Sequence, residues 1–347
     1  MDSGDFLSAD SRYQRALSIR ETLAARPGAE AADREGLAQL HVQVARLRAL
    51  KGDLPAAEDN ARQAVALFES LQEARGGPAN RLGLLATAYH QLGYVQARRG
   101  KHAEALASLE DAVARAKRQV GVSPADLDEA MRLARIQIEY AEALLTAMRP
   151  MDALEMLAEA QRRYEQLLAA DPVNARHRQN LIRIFNTQGS ALNAVGDRPA
   201  MIKAFTQAVS TADELLAAGP DDHGNRLAAL LSHSALGRAL VGAGETQAGV
   251  GRLRQAIAEA ESIAKASPGD DFTVNELAVS HLNLGETLLT GAPSSAEGCR
   301  EIAEGLRLWS LLAERTGVPG EVAEHRGHFE NLQAACRTRG PAPSSQP

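Results

Sequence analysis

Leu92-Gly-Tyr-Val-Gln-Ala-Arg-Arg-Gly100-Lys-His-Ala-Glu-Ala105-Leu-Ala-Ser-Leu109-Glu-Asp-Ala112 is the stretch from which the fold can be read. Gly100-Lys101 is a turn, and Ala105, Leu109 and Ala112 follow it at helical spacing. Steps of 48 from Gly100 land on Gly4, Gly52, Met148, Gly196 and Gly244. The next residue is polar each time: Asp5, Asp53, Lys101, Arg149, Asp197 and Glu245. Steps of 48 from Ala112 give Ala16, Ala64, Ala160, Ala208 and Ala256. A column that stays alanine marks where two helix backbones come too close for a larger side chain. The period is therefore structural, and it makes the chain a repeat array.

In such an array each unit is stabilised by its neighbours rather than by one central core, so 347 residues do not convert into two or three domains by length alone. We expect an all-α, right-handed α-solenoid of antiparallel helix pairs spanning 1–338, followed by a disordered tail over 339–347. Helices are expected near 31–51, 55–74, 80–99, 102–120, 247–266, 271–290, 295–315 and 321–337, with others ending near Val195 and Ala243. Ser123-Pro-Ala-Asp126, Asp171-Pro172 and Gly219-Pro-Asp-Asp222 read as helix starts, the first with Ser123 as N-cap and Pro124 at the first position. The total is about fourteen helices: six complete pairs and two single ones. Gly4-Asp5 reads as a central turn, so the chain opens in mid-repeat, and Phe6, Tyr13, Leu17 and Leu23 on the first helix offer a route to self-association. Near Ala292-Pro293 the register shifts, and a one-residue deletion would bring Ala303 into the alanine column.

A formal net charge of −6 and an aromatic content of 3% argue against a nucleic-acid partner, which needs a basic face or stacking rings. No apolar run is long enough to span a membrane, and the N-terminus has no signal-peptide pattern. A kinase glycine loop, Val-Ala-Ile-Lys, His-Arg-Asp and Asp-Phe-Gly are all missing, and no convergent acid, base or nucleophile set suggests an enzyme. Gly242-Ala-Gly244 and Gly249-Val-Gly251 read as turn and packing glycines rather than a phosphate loop. His325 and His328 share a helix face as a surface pair, short of the ligands a metal needs. His41, His233 and His281 fall in a column with Tyr89 and Phe185 and read as bulky packing residues. No cofactor is expected.

Cys299 and Cys336 are equidistant from a turn at Gly317-Val-Pro-Gly320, so an antiparallel hairpin would set them opposite one another. A disulfide is open to them, and so are two free thiols in a cytoplasmic protein. A bridge would place the chain in an oxidising compartment.

These residues resemble the tetratricopeptide repeat: Leu92-Gly93, Gly100, Ala105, Leu109 and Ala112 fit its signature, as do Leu236-Gly237, Gly244, Leu253 and Ala256. The period departs from the usual length of about 34, consistent with roughly two extra turns per helix. The third pair departs too, with Tyr140-Ala141 and Met148 at the Leu-Gly and Gly positions. A narrower likeness, carried by Tyr164-Glu-Gln-Leu-Leu-Ala-Ala-Asp-Pro-Val-Asn-Ala-Arg176, is to long-period arrays C-terminal to bacterial serine/threonine kinase domains, which are regulatory or partner-binding.

The resemblance implies a non-catalytic protein-interaction scaffold with a groove lined by the first helix of each pair. The alternative is a sensor or receptor domain for a small molecule or short peptide. Two inward columns follow: Arg46, Tyr94, Glu142, Ser190, Arg238, Glu286; and Val42, His90, Ile138, Asn186, Ser234, Leu282. With flanking Arg98, Arg135, Arg183 and Asn193, the expected peptide-binding groove is His90, Tyr94, Arg98, Arg135, Glu142, Arg183, Asn186, Asn193 and Arg238. Arginine and tyrosine there suit an acidic peptide or one with a free C-terminus. The expected location is cytoplasmic, or the extracytoplasmic region of a membrane-bound kinase.

Overall fold

The structure, a computed structural model, describes residues 3–72, 81–267, 269–316 and 320–339, with side chains described for 12–71, 81–267, 269–315 and 325–338. Among these there are fourteen helices and no strand. Two compact units divide the chain, Met1–Pro172 and Val173–Pro347.

The first unit holds α1 (Ser3–Ala24) and the pairs α2 (Ala31–Leu50) with α3 (Leu54–Gln72), α4 (Arg81–Arg98) with α5 (His102–Val122), and α6 (Leu127–Thr146) with α7 (Pro150–Ala170). The second holds the pairs α8 (Ala175–Val195) with α9 (Arg198–Ala218), α10 (His223–Gly242) with α11 (Thr246–Ala266), and α12 (Asp271–Gly291) with α13 (Ala296–Thr316), then α14 (Gly320–Arg339). Within each unit a second helix also packs on the first helix of the following pair, the mark of an α-solenoid.

The alanine column lies at these contacts. Ala64, Ala112, Ala160, Ala208 and Ala256 have no exposed surface, whereas Ala16 on α1 is half-buried. Large side chains fill the spaces between: Phe68 and Tyr164 are fully enclosed, and burying each contributes roughly 2–3 kcal/mol. Opposite the column, the Leu-Gly glycines admit a second-helix side chain. A Cβ added at Gly237 would meet Leu253 at 2.9 Å and the Gly249 carbonyl at 3.1 Å.

The same contact corrects the register of the last pair. Gly285 faces Ile302 and the Gly298 carbonyl, one residue further along than its counterpart. The turn there gains a residue rather than losing one. Gly305, not Ala303, continues the small column: it is buried and a Cβ on it would meet Leu282 at 2.5 Å, while Ala303 is exposed. An extra residue goes into a turn without disturbing either helix.

Helix starts also differ from expectation. Asp126 caps α6 by accepting from the backbone N–H groups of Asp128 and Glu129, so Ser123-Pro124 forms the preceding turn. Asn174 caps α8 and Asp171 ends α7. An Asx side chain next to the helix accepts its unpaired N–H groups directly, and this outweighs Ser-Pro grammar three residues earlier. Asp222 does cap α10. Gly4-Asp5, expected as a turn, lies in the first turn of α1. The expected turn residues Gly317 to Pro319, the Phe6 side chain and the tail from Gly340 lie outside the described residues.

The Gly100 turn is locked onto the pair before it. Glu58 on α3 is 1% exposed and accepts from Arg62 at 2.6 Å, from Lys101 at 3.0 Å and from Arg99. Burial alone would raise its pKa, but hydrogen bonds from Arg62, Lys101 and Arg99 prevail and hold it at about 2. Met148 takes the turn position of Gly100 and Gly196 with φ of 58°, the one non-glycine positive φ among the described residues. It is also 83% exposed, so nothing packs the side chain in return.

Candidate binding face

The two inward columns separate physically. In the first, Arg46, Ser190 and Arg238 are exposed and Tyr94, Glu142 and Glu286 are half-buried, so this column faces open space along each unit. In the second, Val42, His90, Ile138, Ser234 and Leu282 are buried and Asn186 is half-buried. Two of its side chains, His90 and Asn186, join one first helix to the next, and Leu282 lines a cavity beside α13.

Within the first unit, the His90 imidazole Nε2 lies 2.7 Å from the Glu139 carboxylate on α6. Tyr94 packs with Ala49, Leu54 and Ala57 and has the Arg98 guanidinium 5.9 Å from its ring centre. Arg98 donates to the Ala49 carbonyl at 2.7 Å, joining the Gly52 N–H that the same carbonyl accepts at 3.2 Å in the turn after α2. Arg132 makes a like tie, donating to Thr87 at 2.9 Å and to the Gly83 carbonyl at 3.2 Å. Arg135 is exposed. Glu142 is half-buried and has a polar partner.

In the second unit Arg183 is half-buried and engaged. Asn186 donates to the Ser232 hydroxyl at 3.0 Å. Asn193 and Arg238 remain exposed and line an open cavity of about 420 Å³ with Phe205. Arg238 also stands on the rim of a second open cavity of about 730 Å³, formed by α10, α12, α13 and α14. Trp309 and Phe329 meet edge to face there, with ring centres 5.8 Å apart, and the Trp309 indole N–H donates to Asn275 at 3.1 Å. The sequence reading set Arg238, Glu286 and Leu282 in its inward columns but missed the Trp309 and Phe329 wall of this second cavity. One signal was available, since Trp309 is the single tryptophan of the chain.

The wall carrying Phe329 belongs to α14, which is tied to α13 by a Cys299–Cys336 disulfide with a Cα–Cα distance of 5.8 Å. His328 of the same helix pairs with Glu286 at 2.7 Å. The histidine column is hydrogen-bonded as well as packed: His41 meets Asn60 at 3.0 Å, His233 meets Asp213 at 2.9 Å and His281 meets Glu301 at 2.6 Å. Burial pushes His233 below its ordinary pKa despite the Asp213 charge. Burial and then a hydrogen bond to Glu69 push Tyr89 up to about 12. These shifted groups sit on separate helices, each engaged by a structural partner. No group of three or more His, Cys, Asp or Glu side chains placed for a metal ion occurs among the described residues.

Neither a protein-family model nor a curated protein sequence matches the chain. Solved structures do resemble it. BtubC (BKLC) from P. vanneervenii aligns with a TM-score of 0.55 and 18% identity, over 76% of this chain and 92% of that one. A Rap protein complexed with Competence and Sporulation Factor aligns at 0.51 and 12%, over 93% and 81%. A signal-transduction ATPase with a tetratricopeptide repeat sensor, from Pyrococcus horikoshii, aligns at 0.52 and 10%, over 94% and 42%. The fold is that of tetratricopeptide-like arrays. Among the described residues no helix is long and apolar enough to cross a membrane.

Proposed function

We propose that the chain is a non-catalytic protein-interaction module that holds an extended, acidic segment of a partner protein along α8, α10 and α12 of its second unit. The supporting observation is Arg238, an exposed guanidinium with no polar partner among the described residues, on the rim shared by two open cavities. A free fork of N–H donors beside a cavity suits a carboxylate bound bidentately. The Rap protein of like fold was solved in a complex, a precedent for capture by such an array. Both cavities are open, which favours an extended segment over the alternative of a small molecule sealed in a sensor pocket. Within the first unit, Arg135 is exposed, while Arg98 ties α4 to α2.

The finer reading, a regulatory region of a bacterial serine/threonine kinase, rests on the resemblance carried by residues 164–176. A disulfide agrees with its extracytoplasmic form, because such bridges persist in oxidising compartments.

Fluorescence anisotropy with a labelled, aspartate-rich ten-residue peptide tests the proposal. We expect binding that weakens at least fivefold in Arg238→Ala and declines with salt. Equal affinity for the variant, or equal affinity for a lysine-rich peptide, would overturn it.

A further inference from the structure

We infer that the cavity between Arg238 and α14 is an anchor socket for one large apolar side chain of the partner, adjacent in the partner's sequence to the carboxylate that Arg238 binds. This rests on the acidic-segment reading above and specifies what must stand beside the acid.

Two features of the cavity lead there. Its deep wall is apolar, with Trp309 4% and Phe329 8% exposed and with Leu282 and Val279 contributing, so an entering side chain meets rings and methyl groups. Its unmet polar groups are donors. Glu286 is engaged by His328 at 2.7 Å and Trp309 by Asn275 at 3.1 Å. Among the described residues Arg238 has no polar partner, and the Asn283 amide nitrogen is enclosed without an acceptor. A buried donor left unsatisfied is destabilising, and an acceptor brought by a ligand removes that cost. The lining therefore asks for an apolar body carrying hydrogen-bond acceptors, which describes a leucine or phenylalanine with its own backbone carbonyls next to Asp or Glu.

The position of Arg238 decides between an internal residue and a chain terminus. The smaller cavity, with Asn193, continues on its other side. A segment filling both passes over Arg238 instead of stopping at it, so the carboxylate is that of an acidic side chain within the segment. Rigid, enclosed aromatic walls of this kind concentrate binding energy in one anchor. The Cys299–Cys336 bridge keeps the α14 wall in place.

The unmodified protein supplies its own probe, because Trp309 is the only tryptophan and lines the socket. Three tryptophan-free, fluorescein-labelled nine-residue peptides would be compared: one with Leu between two Asp, one with Ala in place of Leu, and one with Leu kept and both Asp changed to Asn. We expect the Leu peptide to bind at least tenfold tighter than the Ala peptide and to shift Trp309 emission, which the Ala peptide leaves unchanged. Phe329→Ala should remove the difference between these two, whereas Arg238→Ala should weaken both alike. Equal affinity of the Leu and Ala peptides, with no change in Trp309 emission, would overturn the socket and leave the acidic-segment reading intact. Equal affinity of the Asp and Asn peptides would overturn the acidic reading and, with it, the pairing of anchor and carboxylate inferred here.

Discussion

Replacing Glu58 by glutamine removes a carboxylate that is almost wholly enclosed and surrounded by Arg62, Arg99 and Lys101. The native environment holds this carboxyl at about 2 against an ordinary 4.5, which corresponds to about 3 kcal/mol of stability at neutral pH. Because the folded pKa is the lower one, that contribution is complete above the unfolded value. It is lost as pH falls towards 2. At pH 3 about 1.5 kcal/mol should remain. Urea unfolding of wild type and Glu58→Gln, followed by far-ultraviolet circular dichroism, gives the gap directly. We expect the variant to be less stable by about 3 kcal/mol at pH 7 and by about half of that at pH 3. A gap under 1 kcal/mol at pH 7, or one of constant size at both pH values, would refute the assignment of Glu58 as the carboxylate that locks the Gly100 turn.

Met148→Gly should stabilise the third helix pair by about 1 kcal/mol, since a side chain at φ of 58° strains the backbone and this one is exposed. A lower melting temperature in the variant would count against that account. Cys299→Ser removes a bridge across 37 residues, a loss of about 4 kcal/mol on a loop-closure estimate. Hydrogen exchange should quicken in α14 and leave α8 to α11 unchanged; uniform quickening throughout the second unit would mean that the bridge does more than hold α14.

Much of the fold could be read from the sequence because its constraints recur. A constant alanine every 48 residues, with a glycine turn in register at Gly52, Gly100, Gly196 and Gly244, identifies both helices of most pairs. The register of the last pair was misjudged because alanine is common: Ala303 fits the column by composition, and only the contact between Gly285 and Ile302 shows that Gly305 occupies it. The candidate site was less legible. His90, Arg98 and Asn186 have the residue types of a groove, yet their partners Glu139, Ala49 and Ser232 lie 46 to 49 positions away on the neighbouring first helix. A column states which way a residue points but not whether another side chain has already engaged it. Arg238 could be placed on the open face from its column, whereas Phe329 could not be set against Trp309, because α14 belongs to no complete pair.

These ties from one first helix to the next give the array a mechanical character. Each unit is fastened rung by rung through a few hydrogen bonds, among them Arg98 to Ala49 and Arg132 to Gly83 in the first and Asn186 to Ser232 in the second. A pull on the chain ends meets them a few at a time instead of all together. A repeat that came undone as a whole would release 48 residues of chain, or roughly 160 Å when fully extended. The material would yield as a ratcheted spring, lengthening by near-equal steps while the rungs not yet reached stay closed.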